Sequence, residues 1–150
     1  MDKDDIISTL NDLIETSKDG EQGFRTAAKD AKASEVQQIL TACAESCATG
    51  ARELQDLVRG LGGDPERSGS VSGALHRGWV EVRSAVTTRD DAAVLSECER
   101  GEDVAKRKYK EALEKDLPEN VRSVVRRQSE GVLEHHDRIK AMRDQYAART

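Results

Sequence analysis

The chain has 150 residues and a net charge of −5, and 35% of its residues are charged but only 3% are aromatic. This length fits one domain, which we assign to residues 1–150, and the composition is typical of long amphipathic helices rather than strands. Because positive and negative residues are interspersed, no basic face indicates a nucleic-acid partner.

The sequence also predicts the compartment. No apolar run approaches the roughly 18 residues of a membrane-spanning helix, and the acidic start Met1–Asp5 is unlike a signal peptide. The three cysteines, Cys43, Cys47 and Cys98, form neither a disulfide framework nor paired CxxC motifs, which indicates reduced thiols. We therefore expect a cytoplasmic protein that contacts no membrane.

The first predicted helix covers residues 3–32. Apolar side chains recur there at spacings of three and four, which places them on one face. Glu21 interrupts this face, and Gly20 and Gly23 lie beside it. Because glycine inside a helix is less favourable than alanine by roughly 1 kcal/mol, the two glycines indicate either the close approach of another element or a bend.

A second helix is predicted over residues 34–61. Ser34 and Gln37 have the spacing of a capping box, so we expect both side chains to satisfy free amides at the start of the helix. The apolar stripe of this helix includes Cys43 and Cys47, which we interpret as small buried hydrophobic residues.

A loop at residues 62–69, which contains Pro65, separates this helix from a shorter one predicted at residues 71–87. The short helix carries Trp79, the only tryptophan, and is not needed to complete four long helices. Because large aromatic side chains often anchor interfaces, we expect any homo-oligomer to form through this helix. Its position in mid-chain suits either a long crossover along a bundle or a cap across the end of the bundle, and the sequence also allows an up-down-up-down order.

Two more long helices are predicted, at residues 91–115 and 118–147. Pro118 favours the start of the last helix, because proline suits a first helical turn. Glu102 falls on the apolar stripe of the helix that precedes it. An unpaired buried carboxylate costs several kcal/mol, so we expect Glu102 to have a partner in the core.

Helical hairpins allow the levels of these residues to be compared, because positions equally distant from a tight turn lie side by side. Counted from the turn near residue 117, Glu102 is level with residues 131–132. Counted from the turn at residue 33, Glu21 is level with residues near 45. The two counts predict one polar layer in mid-bundle. Its candidate residues are Glu21, Glu102, Gln128, His135 and the neighbouring His136, with Cys43 and Cys47 beside them.

Short motifs along nearly the whole chain are similar to those of a known family. They are Asn11-Asp-Leu-Ile-Glu15, Asp19-Gly-Glu21-Gln-Gly-Phe24-Arg25, Leu61-Gly-Gly-Asp-Pro65, Ser68-Gly-Ser70, Leu75-His76-Arg77-Gly-Trp79, Gly101-Glu102 and His135-His136-Asp137. On these motifs the chain resembles a bacterial family described as a four-helix-bundle, ferritin-like domain of unknown function. The resemblance implies an all-α, ferritin-like four-helix bundle with the short helix in the connection between its two hairpins.

The resemblance also raises the question of a di-metal carboxylate site. In such a site one Glu comes from each of two helices and a Glu-x-x-His motif from each of the other two. Glu21 and Glu102 match the two single glutamates. However, the second helix contains no histidine, and the residues three positions before His135 and His136 are apolar, so both Glu-x-x-His motifs are absent.

Two functions from different classes follow. The favoured prediction is a non-enzymatic structural, stress-associated or partner-binding module, which needs no cofactor because ion pairs or hydrogen bonds satisfy its polar layer. The alternative is a protein that binds iron, manganese or zinc for storage or redox use. Its metal ligands would be Glu21, Glu102, His135 and His136. The sequence lacks the motifs of serine hydrolases, phosphate-binding loops and dinucleotide-binding turns.

Overall fold

The computed structural model describes residues 1–69, 79 and 90–149, and within these ranges the regular structure is entirely helical. The described ranges contain four long helices: α1 (Lys3–Asp30), α2 (Ser34–Gly60), α3 (Asp91–Leu113) and α4 (Glu119–Ala148). The predicted ends of the long helices lie within two residues of the observed ones, so this prediction is confirmed. The short helix predicted at residues 71–87 lies outside the described residues, apart from Trp79. None of the helices in the described ranges is long and apolar enough to cross a membrane.

The order of the helices follows from contacts at the two ends of the bundle. Helices α1 and α2 form one hairpin and α3 and α4 another, while α1 also packs on α3 and α2 on α4. At one end, Asp91 at the start of α3 accepts hydrogen bonds from the backbone just after α1. At the other end, Lys115 Nζ after α3 lies 3.1 Å from Thr9 Oγ1 near the start of α1. Helices α1 and α3 are therefore antiparallel.

The connection between the hairpins joins opposite ends of the bundle. Helix α2 ends beside the start of α1, where the side chain of Asn11 hydrogen-bonds the backbone of Asp64 and Glu66. Helix α3 begins at the opposite end, next to the turn between α1 and α2. Because the two ends of the connection lie at opposite ends of the bundle, the crossover alternative is the one observed, and the up-down-up-down order is excluded.

Among the described residues, two apolar clusters fill the bundle, one near each end. The cluster nearer the turn between α1 and α2 includes Phe24, Leu40 and Ile139, and the other includes Leu10 and Leu54, all almost completely buried. On α3, residues of one cluster end at Cys98 and those of the other begin at Tyr109. The predicted polar layer therefore lies between the clusters, at the level of Glu102.

The turn just before α2 is bound by a residue of another helix. The helix begins at Ser34 as predicted, but Ala33 is the N-cap residue and supplies no side-chain hydrogen bond. Instead, the two carboxylate oxygens of Asp91 accept hydrogen bonds of 2.9 Å each from the amides of Lys32 and Ala33. The predicted capping box of Ser34 and Gln37 is wrong, because Ser34 already lies inside the first helical turn.

Trp79 packs inside the molecule. Its side chain is 6% exposed and meets Phe24 edge to face, with the ring centroids 5.0 Å apart. The indole lies against the backbones of α1 and α3, where a Cβ atom added to Gly23 would overlap the ring and one added to Gly101 would lie 2.7 Å from its Cζ2 atom. The close approach indicated by the glycines of α1 is thus observed. We expected self-association through the short helix because an exposed tryptophan can anchor an interface. This reason is wrong, because the indole is buried.

We expect Gly23→Ala to destabilise the fold by about 1–3 kcal/mol, because the added methyl group would displace the Trp79 ring. Gly131→Ala is the matched control, since Gly131 also lies inside a helix but an added Cβ atom there meets no atom within 4 Å. The control should gain up to about 1 kcal/mol from the higher helix propensity of alanine. Urea unfolding of both variants measures these changes, and a Gly23→Ala protein as stable as the wild type would contradict the packing of Trp79.

Candidate metal centre and cavity

Glu102 lies on α3 with its side chain buried in the middle of the bundle. The residue is 4% exposed, and in the described part of the chain no hydrogen bond ends on its carboxyl group. Burial, with a smaller contribution from the neighbouring Asp103, raises the pKa of this carboxyl group to about 8. In the absence of a bound cation, Glu102 is therefore mostly protonated at neutral pH.

Two further side chains converge on Glu102 from other helices. The thiol of Cys43 on α2 and the imidazole of His135 on α4 each place a potential metal-binding atom near the Glu102 carboxyl group, and these three atoms lie within 4.8 Å of one another. Cys43 is fully buried, and His135 is partly buried. Burial raises the pKa of the Cys43 thiol to about 12 and lowers the pKa of His135. The group is thus neutral without a metal.

The other predicted ligands lie apart from this group. Glu21 is partly exposed on α1 and forms an ion pair with Arg25, with Oε2 of Glu21 3.2 Å from Nη2 of Arg25. His136 is 7% exposed and turns to a different set of carboxylates on α3. Its Nε2 atom lies 2.8 Å from Oδ1 of Asp103 and 3.5 Å from Oε2 of Glu99. The structure therefore brings Glu102 and His135 together and gives Glu21 and His136 separate partners.

The sequence placed Cys43 beside the polar layer but did not predict it as a metal ligand. Its level was matched only to Glu21 within the first hairpin, and it was interpreted as a small hydrophobic residue. The available signal was its place on the core stripe of α2, in the same mid-bundle layer as Glu102. How the two hairpins dock, which the turn counts do not give, determines that the thiol meets Glu102.

A cavity of about 230 Å³ lies beside the group. Glu102 and His135 are on its wall, and residues of all four helices and Trp79 complete it. The lining residues that are exposed to solvent, Ser46, Thr49 and Arg127, belong to α2 and α4. The cavity therefore opens to solvent between these two helices.

Hydrogen bonds hold one wall of the cavity in place. The Tyr109 hydroxyl donates to Oε1 of Gln128 over 2.8 Å and lies 3.4 Å from Oγ of Ser17. The Gln128 amide in turn donates to the backbone oxygen of Gly50 and to Glu53, at 3.2 and 3.0 Å. Because these residues come from all four helices, the network fixes the bundle around the cavity.

A charged pair stands at the mouth of the cavity. Nη2 of Arg127 lies 2.6 Å from Oε2 of Glu53, and this hydrogen bond lowers the pKa of the Glu53 carboxyl group. Both side chains are more than one-third exposed, so the pair contributes little to stability. A molecule that enters the cavity therefore passes two opposite charges that already neutralise each other.

Comparison with known proteins identifies the family. No curated protein matches the chain. Residues 5–115, which contain α1, α2 and α3 with Cys43 and Glu102, match a family described as a domain of unknown function, DUF2383. His135 and the rest of α4 follow the matched residues. Since the match covers more than half of the 150 residues, the chain belongs to the DUF2383 family.

Proposed function

We propose that this protein binds one transition-metal ion, with Zn(II) as the preferred ion, through Cys43, Glu102 and His135. The observation that carries the proposal is the convergence of a thiol, a carboxyl group and an imidazole from three helices to within 4.8 Å. Buried polar groups in proteins are generally hydrogen-bonded, and a metal would satisfy the buried Glu102 carboxyl group. The zinc preference rests on the donor set, because thiolate and imidazole both suit Zn(II), whereas Mn(II) prefers oxygen ligands.

The three donor atoms would need to move only slightly closer together to bind one ion. Donor atoms around tetrahedral Zn(II) lie about 3.3–3.8 Å apart, given metal–ligand distances of about 2.0–2.3 Å. Side-chain movements of about 1 Å would therefore bring the three donor atoms to the spacing found around a bound ion. A fourth ligand, water or a small molecule, would come from the adjacent cavity, as in zinc sites that keep an open position.

The topology supports a ferritin-like bundle for this site. Two hairpins joined by one long crossover are the arrangement of ferritin-like folds. A di-metal centre is less well supported, because Glu21 is paired with Arg25 and the Glu-x-x-His motifs are missing. We propose a cytoplasmic location as well, since Cys43, Cys47 and Cys98 are free thiols and suit a reducing compartment.

A second candidate is a non-enzymatic structural or partner-binding module without a metal. The raised pKa of Glu102 favours it, because a protonated carboxyl group needs no counter-ion. The hydrogen-bonded Tyr109 and Gln128 would then make the polar layer a device for holding the helices in register. The two candidates differ in whether Cys43 and His135 bind a cation.

Cobalt titration of chelator-treated protein tests the metal site. We expect one equivalent of Co(II) to bind and to produce thiolate charge-transfer absorption, and Zn(II) to displace it. Cys43→Ala should abolish this absorption and weaken zinc binding by more than about tenfold, whereas Cys98→Ala, at another buried cysteine, should leave both unchanged.

A second pair of variants tests the imidazole. His135→Gln should weaken zinc binding, while His136→Gln, next to it in sequence but bound to Asp103, should not. With ion at a hundredfold excess over its dissociation constant, zinc should stabilise the wild type by about 2.7 kcal/mol in thermal or urea unfolding. No stoichiometric binding, or binding unchanged in Cys43→Ala, would reject the metal site and leave the metal-free module.

A further inference from the structure

The mid-bundle cavity has a size, a lining and an entrance that together specify a ligand. We propose that it binds a small uncharged molecule of about one aromatic ring that carries a hydroxyl group, that is, a simple phenol. This site is a function beyond the metal centre, because it can be occupied in metal-free protein. The following observations carry the proposal.

The volume sets the size of the ligand. An engineered apolar cavity of about 150 Å³ accommodates benzene. The cavity in this bundle has a volume of about 230 Å³, which leaves room for one ring with a substituent but not for two fused rings with substituents. The cavity is therefore suited to a monocyclic compound.

The lining sets its chemistry. Phe24, Trp79 and Val132 form an apolar part of the wall, against which an aromatic ring can pack. Ser17, Glu102, Tyr109, Gln128 and His135 also line the cavity and offer hydrogen bonds. Glu102 is 4% exposed and makes no hydrogen bond within the described residues, so a ligand hydroxyl would satisfy it.

The charges of the wall favour an uncharged ligand. The only cationic side chain among the described lining residues is Arg127, and Glu53 already neutralises it. A carboxylate that entered the cavity would therefore lose its hydration without gaining a free counter-ion.

The entrance lies between α2 and α4, next to Gly131. This residue lines the cavity, and a Cβ atom added to it would meet no atom within 4 Å. A larger side chain at position 131 can thus occupy the cavity space without displacing the backbone. Gly60 offers a matched control, because a Cβ atom there is equally free of contacts but the residue lies at the end of α2, away from the cavity.

The test is calorimetric titration of chelator-treated wild-type protein with phenol, toluene and benzoate. Phenol should bind, toluene should bind about tenfold more weakly for want of one hydrogen bond, and benzoate should not bind detectably. Gly131→Leu should weaken phenol binding by at least about tenfold, and Gly60→Leu should leave it unchanged. Trp79, the only tryptophan, lines the cavity and should change its fluorescence when phenol binds, which locates the ligand even if Gly131→Leu does not fold.

Absence of phenol binding, equal affinity for benzoate, or a bound phenol that leaves Trp79 fluorescence unchanged would overturn the proposal. Phenol binding undiminished in a folded Gly131→Leu protein would also overturn it. Because all titrations use metal-free protein, failure of this site and failure of the zinc site are observed separately.

Discussion

Glu102→Gln should make the metal-free protein more stable, and the gain should grow as the pH rises from about 4.5 to about 8. Burial raises the pKa of Glu102 from 4.5 to about 8 in the folded state. Glutamine keeps the shape and hydrogen-bonding capacity of the protonated acid and cannot ionise. At pH 7 we expect a gain of about 3 kcal/mol, and above pH 8 a gain on the order of 4–5 kcal/mol, since each pKa unit corresponds to about 1.4 kcal/mol.

The sign of this effect follows from proton binding. Below pH 4.5 both the folded and the unfolded states carry the proton on Glu102, so the residue does not make stability depend on pH. Between pH 4.5 and 8 the unfolded state releases the proton and the folded state retains it, so the wild type loses stability as the pH rises. Above pH 8 both states are ionised and the loss stays constant. The substitution removes this loss.

Urea unfolding in the presence of a chelator at pH 5, 7 and 8.5 measures the effect. Glu111→Gln, at an exposed position of the same helix, is the control and should change the free energy of unfolding by less than about 0.5 kcal/mol at each pH. A change in stability that is the same at all three pH values would mean that Glu102 ionises with an ordinary pKa in the folded protein, and it would contradict the raised pKa.

The presence of the long helices and the residues at which they begin and end were predictable, because they depend on local signals. The stripes at spacings of three and four and the cap residues belong to single helices, so four long helices could be placed from the sequence. That Glu102 lies level with His135 and His136 was also predictable, because the short turn between α3 and α4 determines which residues share a level. These features need no knowledge of how the hairpins dock.

Features that depend on docking could not be predicted in the same way. Neighbouring residues of a helix differ by about 100° in direction, so the sequence did not decide between His135 and His136. Glu21 was expected in the core, but Trp79 occupies the groove beside Gly20 and Gly23, and the Glu21 carboxylate pairs with Arg25. The meeting of Cys43 with Glu102 depends on how the two hairpins dock, which the turn counts do not give.

The hydrogen bonds of Asp91 connect the two hairpins at one end of the bundle. Among alanine substitutions at that end, we expect Asp91→Ala to lower the stability of the fold the most. Asp91 is 9% exposed, and its carboxylate accepts two hydrogen bonds of 2.9 Å from the amides of Lys32 and Ala33. The N-cap residue Ala33 cannot replace them, because it has no side-chain acceptor. Hydrogen bonds to a charged group contribute about 1.5–3 kcal/mol each, so Asp91→Ala should destabilise the fold by about 3–4 kcal/mol.

Asp90 provides the matched control for this prediction. It is exposed and caps α3 through hydrogen bonds to the amides of Ala92 and Ala93, so Asp90→Ala should cost about 1 kcal/mol. The larger effect at Asp91 is expected because its carboxylate joins helices that are far apart in sequence, whereas Asp90 stabilises only its own helix. Urea unfolding at neutral pH compares the two variants, and Asp91→Asn should recover part of the loss, since its amide oxygen can accept one of the two hydrogen bonds. Equal effects of the two alanine substitutions would show that Asp91 acts only as a local residue of α3 and does not hold the hairpins together.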